Sequence, residues 1–238
     1  MQPTSSEYQR LLAANHTKQT RLVIGESANG DNIFSEDMLY SIKTSVHLFS
    51  GDNVVIGSCV SGEIDITMRC PDIVIPRRAK LRPFVRLTDG VDYSEWVQKG
   101  EYFIDTRQEQ DKGTGIKKLI IHGYDAMLMA ERPYESSNLN WPARDIDVVQ
   151  EIANAMGVSI DARTLEYITQ GYLVQLPSEY TYRETLGYIA AMYAGCFIMS
   201  DLGALRFVPF WDLTSQFSYL VTEEEEVITA GGVSILVW

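Results

Sequence analysis

The sequence predicts an α+β protein, mainly β. It should have an N-terminal β-barrel-like domain, a smaller α/β segment with helix-plus-hairpin units, and the start of a second β-domain. Three observations carry this expectation. Between Arg21 and Ile121, short apolar runs recur between turn residues, and one of them, Glu63 to Arg69, alternates strictly. After Pro133 the period changes, and apolar residues fall at helical spacing. The third is the stretch from Trp96 to Met129, read as a strand, a polar loop, a second strand and a short helix entered through Asp125. It is expected to be the hairpin that closes a small barrel. With 238 residues, 45% of them hydrophobic and 22% charged, the chain can bury a substantial core.

The elements follow in order. Thr4 and Glu7 have capping-box spacing and predict a short helix to about Ala14, anchored by Leu11 and Leu12. Such a lone helix must dock on its own barrel or on a neighbour. Leu22, Val23 and Ile24 form a strand ending at Gly25, and Asn29-Gly30 is a turn. Met38 to Val46 alternates loosely, and Val54 to Gly57 continues the β pattern. In the strand from Glu63 to Arg69, Ile64, Ile66 and Met68 must share one face. Pro71, Pro76 and Pro83 demote the next segment to a loop and an edge strand over Leu81 to Leu87. Tyr93 to Thr106 is a long strand that Gly100 interrupts with a bulge or bend. About seven such strands read as a closed barrel or a sandwich.

Pro133 to Pro142 reads as a polar linker. A helix capped by Asp145 follows, with Val148, Val149, Ile152, Ala153 and Met156 on one face and Gly157 as its left-handed end. Leu173 to Leu176 is short and extended. A capping box from Thr181 to Glu184 opens a second helix, with Leu186, Ile189, Ala190 and Tyr193 on its apolar face and Gly195 at its end. Phe197 to Met199 and Leu205 to Val208 form a hairpin. Val227 to Trp238 reads as strand, Gly-Gly turn and strand, the start of a barrel left unfinished at Trp238. The expected divisions are 1–19 for an N-terminal helix or arm, 20–132 for the barrel-like domain and 133–142 for the linker. Residues 143–212 form the α/β insert, and 213–238 begin the second β-domain.

The chemistry in the sequence is sparse. Lys plus Arg is 20 and Asp plus Glu is 32, a net charge of -12, which argues against stable nucleic-acid binding. No apolar run approaches the ~20 residues of a membrane helix. Cys59, Cys70 and Cys196 are odd in number and lack CxxC spacing, so buried thiols are expected rather than a disulfide framework or a zinc site. The histidines, His16, His47 and His122, are scattered, and His122 is expected to be a hydrogen-bonded residue at a strand end. Glu95, Asp105 and Asp125 are the acids to test for a glycosidase pair, against the plainer roles of caps and arginine partners. Trp96, Trp141 and Trp211 are possible sugar-stacking platforms, although tryptophans more often anchor cores or interfaces. Glu223 to Glu226 reads as a solvated charge run, because calcium ligands are spaced along a turning loop. No catalytic, cofactor-binding or metal-binding residue is assigned.

A resemblance rests on Gly62 to Met68, Ile75 to Leu81, Ser94 to Arg107 and His122 to Leu128, together with the helix, strand, Gly turn and strand from Tyr180 to Pro209. These runs resemble prophage tail proteins of Gram-positive bacteria, within the baseplate hub and tail-associated family. The resemblance implies two β-barrel domains with α/β inserts and a homotrimeric ring at the end of the tail tube. It further implies partners among tail-tube and distal tail or fibre proteins and a place in the virion; the polar N-terminus adds the expectation of synthesis in the bacterial cytoplasm, and the sparse chemistry that of no enzymatic activity and no cofactor. The alternative expectation is a tail-associated cell-wall glycan hydrolase or a carbohydrate-binding module.

Overall fold

A computed structural model describes residues 4–25, 32–49, 51, 53–111, 117–169 and 171–210. Beyond these it describes the backbone of four two-residue strands, at 218–219, 229–230, 233–234 and 236–237. Helix α1, Ser6–Ala13, leads into an antiparallel sheet. The sheet's strands are β1, Thr17–Ile24; β2, Asn32–Phe34; β3, Leu39–Ser45; β4, Glu63–Arg69; β5, Lys80–Thr88; β6, Val97–Gln98; β7, Tyr102–Asp111; and β8, Lys117–Asp125. Their order is β2-β1-β5-β7-β8-β4-β3, with β6 paired to β5.

β4 keeps the register its alternation dictates. Ile64, Ile66 and Met68 are buried, and they face a core of Leu22, Ile24, Leu81, Ile104 and Ile121. The expected closed barrel is not found. Among the described residues no ladder joins β2 to β3, so the sheet is open. β2 is too short to supply a seam, because its three residues pair only with the end of β1. Ile75 and Ala79 from the loop between β4 and β5, with Met38, Leu39 and Ile42 packed nearby, cover the core instead.

Several local expectations shift. The helix cap moves by one residue: Ser5, not Thr4, accepts from Tyr8 N, and Glu7 pairs with Arg10. Leu11 anchors the helix on its own sheet, but Leu12 points outward. Despite its proline, β5 is an interior strand. The Pro83 carbonyl accepts from Lys99 N at 2.8 Å. A strand residue points its N and O to the same edge, so the missing N–H falls in the gap between β7 and β6 and spares the β1 ladder. The long strand splits at Gly100 (φ 121°) into β6 and β7, and the bulge lies at Asp105, between Ile104 and Thr106. Val54 to Ile56 form no strand and are exposed. The Asn29-Gly30 turn lies outside the described residues.

A second core follows. A 3-10 turn, Ala126–Glu131, leads to β9, Ala143–Arg144, and α2, Asp145–Met156. Then come α3, Thr164–Tyr167; β10, Leu173–Val174; α4, Tyr182–Met192; and the hairpin β11, Gly195–Met199, with β12, Leu205–Pro209. α2 buries Val148, Val149, Ile152, Ala153 and Met156, and Gly157 ends it at φ 75°. Asp145 is the first residue of the helix rather than its cap. Its buried carboxylate accepts from Ile146 N at 2.8 Å, Tyr172 N at 3.2 Å and the Tyr193 hydroxyl. The Thr181–Glu184 capping box is present. The left-handed residue after α4 is Ala194 (φ 49°), and Gly195 already belongs to β11, where a Cβ would meet the Phe207 ring at 2.3 Å. Tyr134, inside the expected polar linker, is fully buried in this core, and its hydroxyl is bonded to Glu151. Near the end, β14, Thr229–Ala230, pairs with β15, Val233–Ser234, and β13, Ser218–Tyr219, pairs with β16, Leu236–Val237.

Candidate functional site

The structure gives the candidate acids separate surroundings. Glu95 accepts from Ser5 N at 2.7 Å and from the Ser5 hydroxyl, tying the N-terminal helix to the sheet. Partial burial pushes its carboxyl up, but the Ser5 hydrogen bonds outweigh that and hold it below the usual carboxylate range. Asp105 is the bulged residue of β7 and lines a cleft with Arg77, Arg78 and Arg107. Asp125 caps the 3-10 turn. Its Oδ1 accepts from Met127 N at 2.9 Å and its Oδ2 from Gly62 N at 2.6 Å. Burial raises its pKa to about 7 against the pull of those two amides and of Arg183. Each acid thus serves a cap, a tether or a bulge, and no described interaction joins any two of them. His122 lies within β8. Its Nδ1 is 2.9 Å from Asp65 Oδ1 on β4, and its ring meets Tyr124 edge-on.

Trp96 and Trp141 are engaged as anchors. The Trp96 ring carries the guanidiniums of Arg21 and Arg86, at 4.6 and 4.5 Å from its centroid. Trp141 packs edge-on against Tyr134 beside the second core. Trp211 and the run Glu223 to Glu226 lie outside the described residues. Cys59 and Cys196 are buried, and burial pushes their thiols up to about 12 and about 11. Such thiols are poor nucleophiles.

Several polar contacts gather at a joint between the two cores. Residues 57–61 run along β11: Gly57 N donates to Gly195 O at 2.8 Å, and Phe197 N donates to Ser58 O at 3.2 Å. Gly57 (φ 81°) lies against α4 so closely that a Cβ on Gly187 would come within 2.7 Å of Gly57 O. Arg183 clamps the joint. It donates to Cys59 O at 3.0 Å, Met127 O at 3.0 Å and Ser61 Oγ at 2.8 Å, and its Nε lies 3.0 Å from the Glu131 carboxylate. A second tie joins the β6–β7 corner to the β11–β12 turn, where Gly100 N and Gln98 Nε2 both donate to Asp201 O. Sequence reasoning missed Arg183 because it looked like an ordinary first-turn helix residue. It also missed the arginine cleft, whose one visible signal was the adjacent pair Arg77-Arg78 in an acidic chain.

No protein-family model and no curated protein matches the sequence. Solved structures do match the fold. The 43 kDa tail protein of prophage MuSo2 from Shewanella oneidensis superposes with a TM-score of 0.55 at 11% identity, over 86% of this chain and 59% of that one. A tail protein from Neisseria meningitidis gives 0.53 at 13% identity, over 84% of this chain and 52% of its own. This chain therefore spans between half and three-fifths of the length of the tail proteins it matches. The open sheet, the clamped helical unit and the hairpin together make up a fold seen in prophage tail proteins.

Proposed function

We propose that the chain is a structural part of a phage-type tail tip, one that forms a baseplate-hub ring joining the tail tube to a baseplate or fibre. The observation that carries this reading is the superposition on the 43 kDa prophage tail protein over 86% of the chain. In this role the barrel-like part, 20–132, forms the ring as a homotrimer. The partners are tail-tube and distal tail or fibre proteins, and the assembled location is the virion. The ends of the sheet at β2 and β3, unpaired among the described residues, support the reading, because unpaired strand edges are natural places for subunits to meet. The net charge of -12 supports it as well, since an acidic lumen would keep passing DNA from sticking. The work proposed is assembly rather than catalysis, with Glu95, Asp105 and Asp125 kept as a tether, a bulge and a cap.

Multi-angle light scattering at micromolar concentration, alone and with the tail-tube protein of the same prophage, tests this. A trimer, or a complex with the tube protein, is expected. A strict monomer that ignores the tube protein would overturn the reading. Release of fragments from purified peptidoglycan would replace it with the hydrolase alternative.

A further inference from the structure

Two clefts on one flank of the sheet share Arg107 as a common wall. One, of about 750 Å³, is basic, with Arg77, Arg78 and Arg107 beside the Asp105 bulge. The other, of about 320 Å³, has a mixed lining that includes Ile73, Val74, Arg107 and Glu109. Val74 is 91% exposed, an unusual position for valine, and Ile73 is 40% exposed. Both clefts are lined by β7. It leaves β5 after Phe103, and from Thr106 to Gln110 its ladder is with β8 alone. Among the described residues its second edge carries no ladder from Thr106 to Gln110. The loop carrying Arg77 and Arg78 is fixed to that edge, because Ile104 N donates to Ala79 O at 3.2 Å and Arg107 Nη1 donates to Ile75 O at 2.5 Å. Arg78 is held at φ 58°, uncommon for a residue with a side chain. Among the described residues none of the three arginines forms an ion pair, although acids outnumber bases by 32 to 20 in the whole chain.

We propose that this groove receives an extended acidic segment of a partner protein as an added strand on that edge of β7. Its carboxylates would meet Arg77, Arg78 and Arg107, and its apolar side chains would meet Ile73 and Val74. Strand addition supplies backbone hydrogen bonds, and alternate side chains then reach opposite sides. A guanidinium binds a carboxylate through two parallel hydrogen bonds, which suits arginines that form no ion pair among the described residues. A continuous polyanion such as nucleic acid fits less well. It would leave Val74 uncovered and offer no strand backbone to β7. The proposal does not depend on the tail reading.

The test is a fluorescence-anisotropy titration of the whole chain with a labelled peptide of alternating glutamate and valine. Saturable binding is expected, weakened about tenfold or more, equivalent to 1.4 kcal/mol, by R77E combined with R78E. Hydrogen exchange read on the same samples should slow at amides of 106–110 when the peptide is added. Both substitutions are on exposed loop residues, and circular dichroism checks that the variant folds. Equal binding of a lysine–valine peptide, indifference to R77E/R78E, or no slowing of exchange along β7 would each overturn the proposal. Tighter binding of a single-stranded oligonucleotide at the same arginines would replace the acidic segment with a nucleic acid. Oligomers of the chain that R77E/R78E dissolves would assign the groove to a second copy.

Discussion

The two cores of this chain are built on different rules. The sheet core is assembled from alternating strands, so β4 alone shows which residues face inward. The second core is gathered from scattered pieces: Cys59, the 3-10 turn, Tyr134, two helices and a hairpin. The first follows a local period that a single strand can carry. The second depends on side chains whose burial is decided by distant neighbours. Arg183 reaches across 124 positions to Cys59. The difference teaches that the helical part is a unit completed by a strap borrowed from before β4.

The comparison can be broken at several strengths. Phe207 is fully buried against Phe197 and Tyr193, so Phe207→Ala should cost about 3–5 kcal/mol in urea unfolding. Ile66→Ala, on the sheet side, should cost about 2–5 kcal/mol. If the strap couples the cores, both variants keep one transition seen alike by tryptophan fluorescence and circular dichroism. Two separated transitions in either would mean that the cores fold independently. Gly187→Ala puts a Cβ within 2.7 Å of Gly57 O and should cost about 1–3 kcal/mol, with exchange speeding up along β11 before it does in β4.

Asp125 gives a subtler test. Its folded pKa of about 7 lies above the unfolded value of about 4, so the folded chain holds a proton that the unfolded chain has released. This contribution to stability is full below pH ~4 and is lost as the pH rises towards 7. Urea midpoints measured across that window should fall with pH in the parent and flatten in Asp125→Asn; equal slopes in both would remove Asp125 as the cause. The smallest effect should come at the N-terminus. Ser5→Ala should cost about 0.5–2 kcal/mol, whereas Thr4→Ala should be near neutral, a direct check that the cap lies one residue later than the capping-box spacing implies.

Legibility followed the range of the interactions. β4, the buried face of α2, the cap of α4 and the β11–β12 hairpin could be read because their signals are local. Barrel closure could not, because it depends on whether β2 and β3 meet, and neither strand encodes the position of the other. β5 was misplaced at an edge because the proline rule is about a missing donor, and the gap that tolerates it is created by β6 and β7. Tyr134 was lost in a stretch of serines and asparagines, since its burial comes from Glu151 and Tyr182 on other elements. The candidate acids could be named but not placed. Their roles were fixed by Ser5, Gly62 and the register shift between β7 and β8.

The strap of residues 57–61 also sets how far the molecule can be divided. A piece beginning at the 3-10 turn would contain both helices and the hairpin, yet β11 would lose the backbone that pairs with it at Gly195 and Phe197. Its edge would lie bare and Arg183 would lose its bonds to Cys59 and Ser61. Such an edge invites pairing between molecules. The helical unit is thus not a transferable module. During synthesis its missing strand has already left the ribosome before the unit's first residue is made.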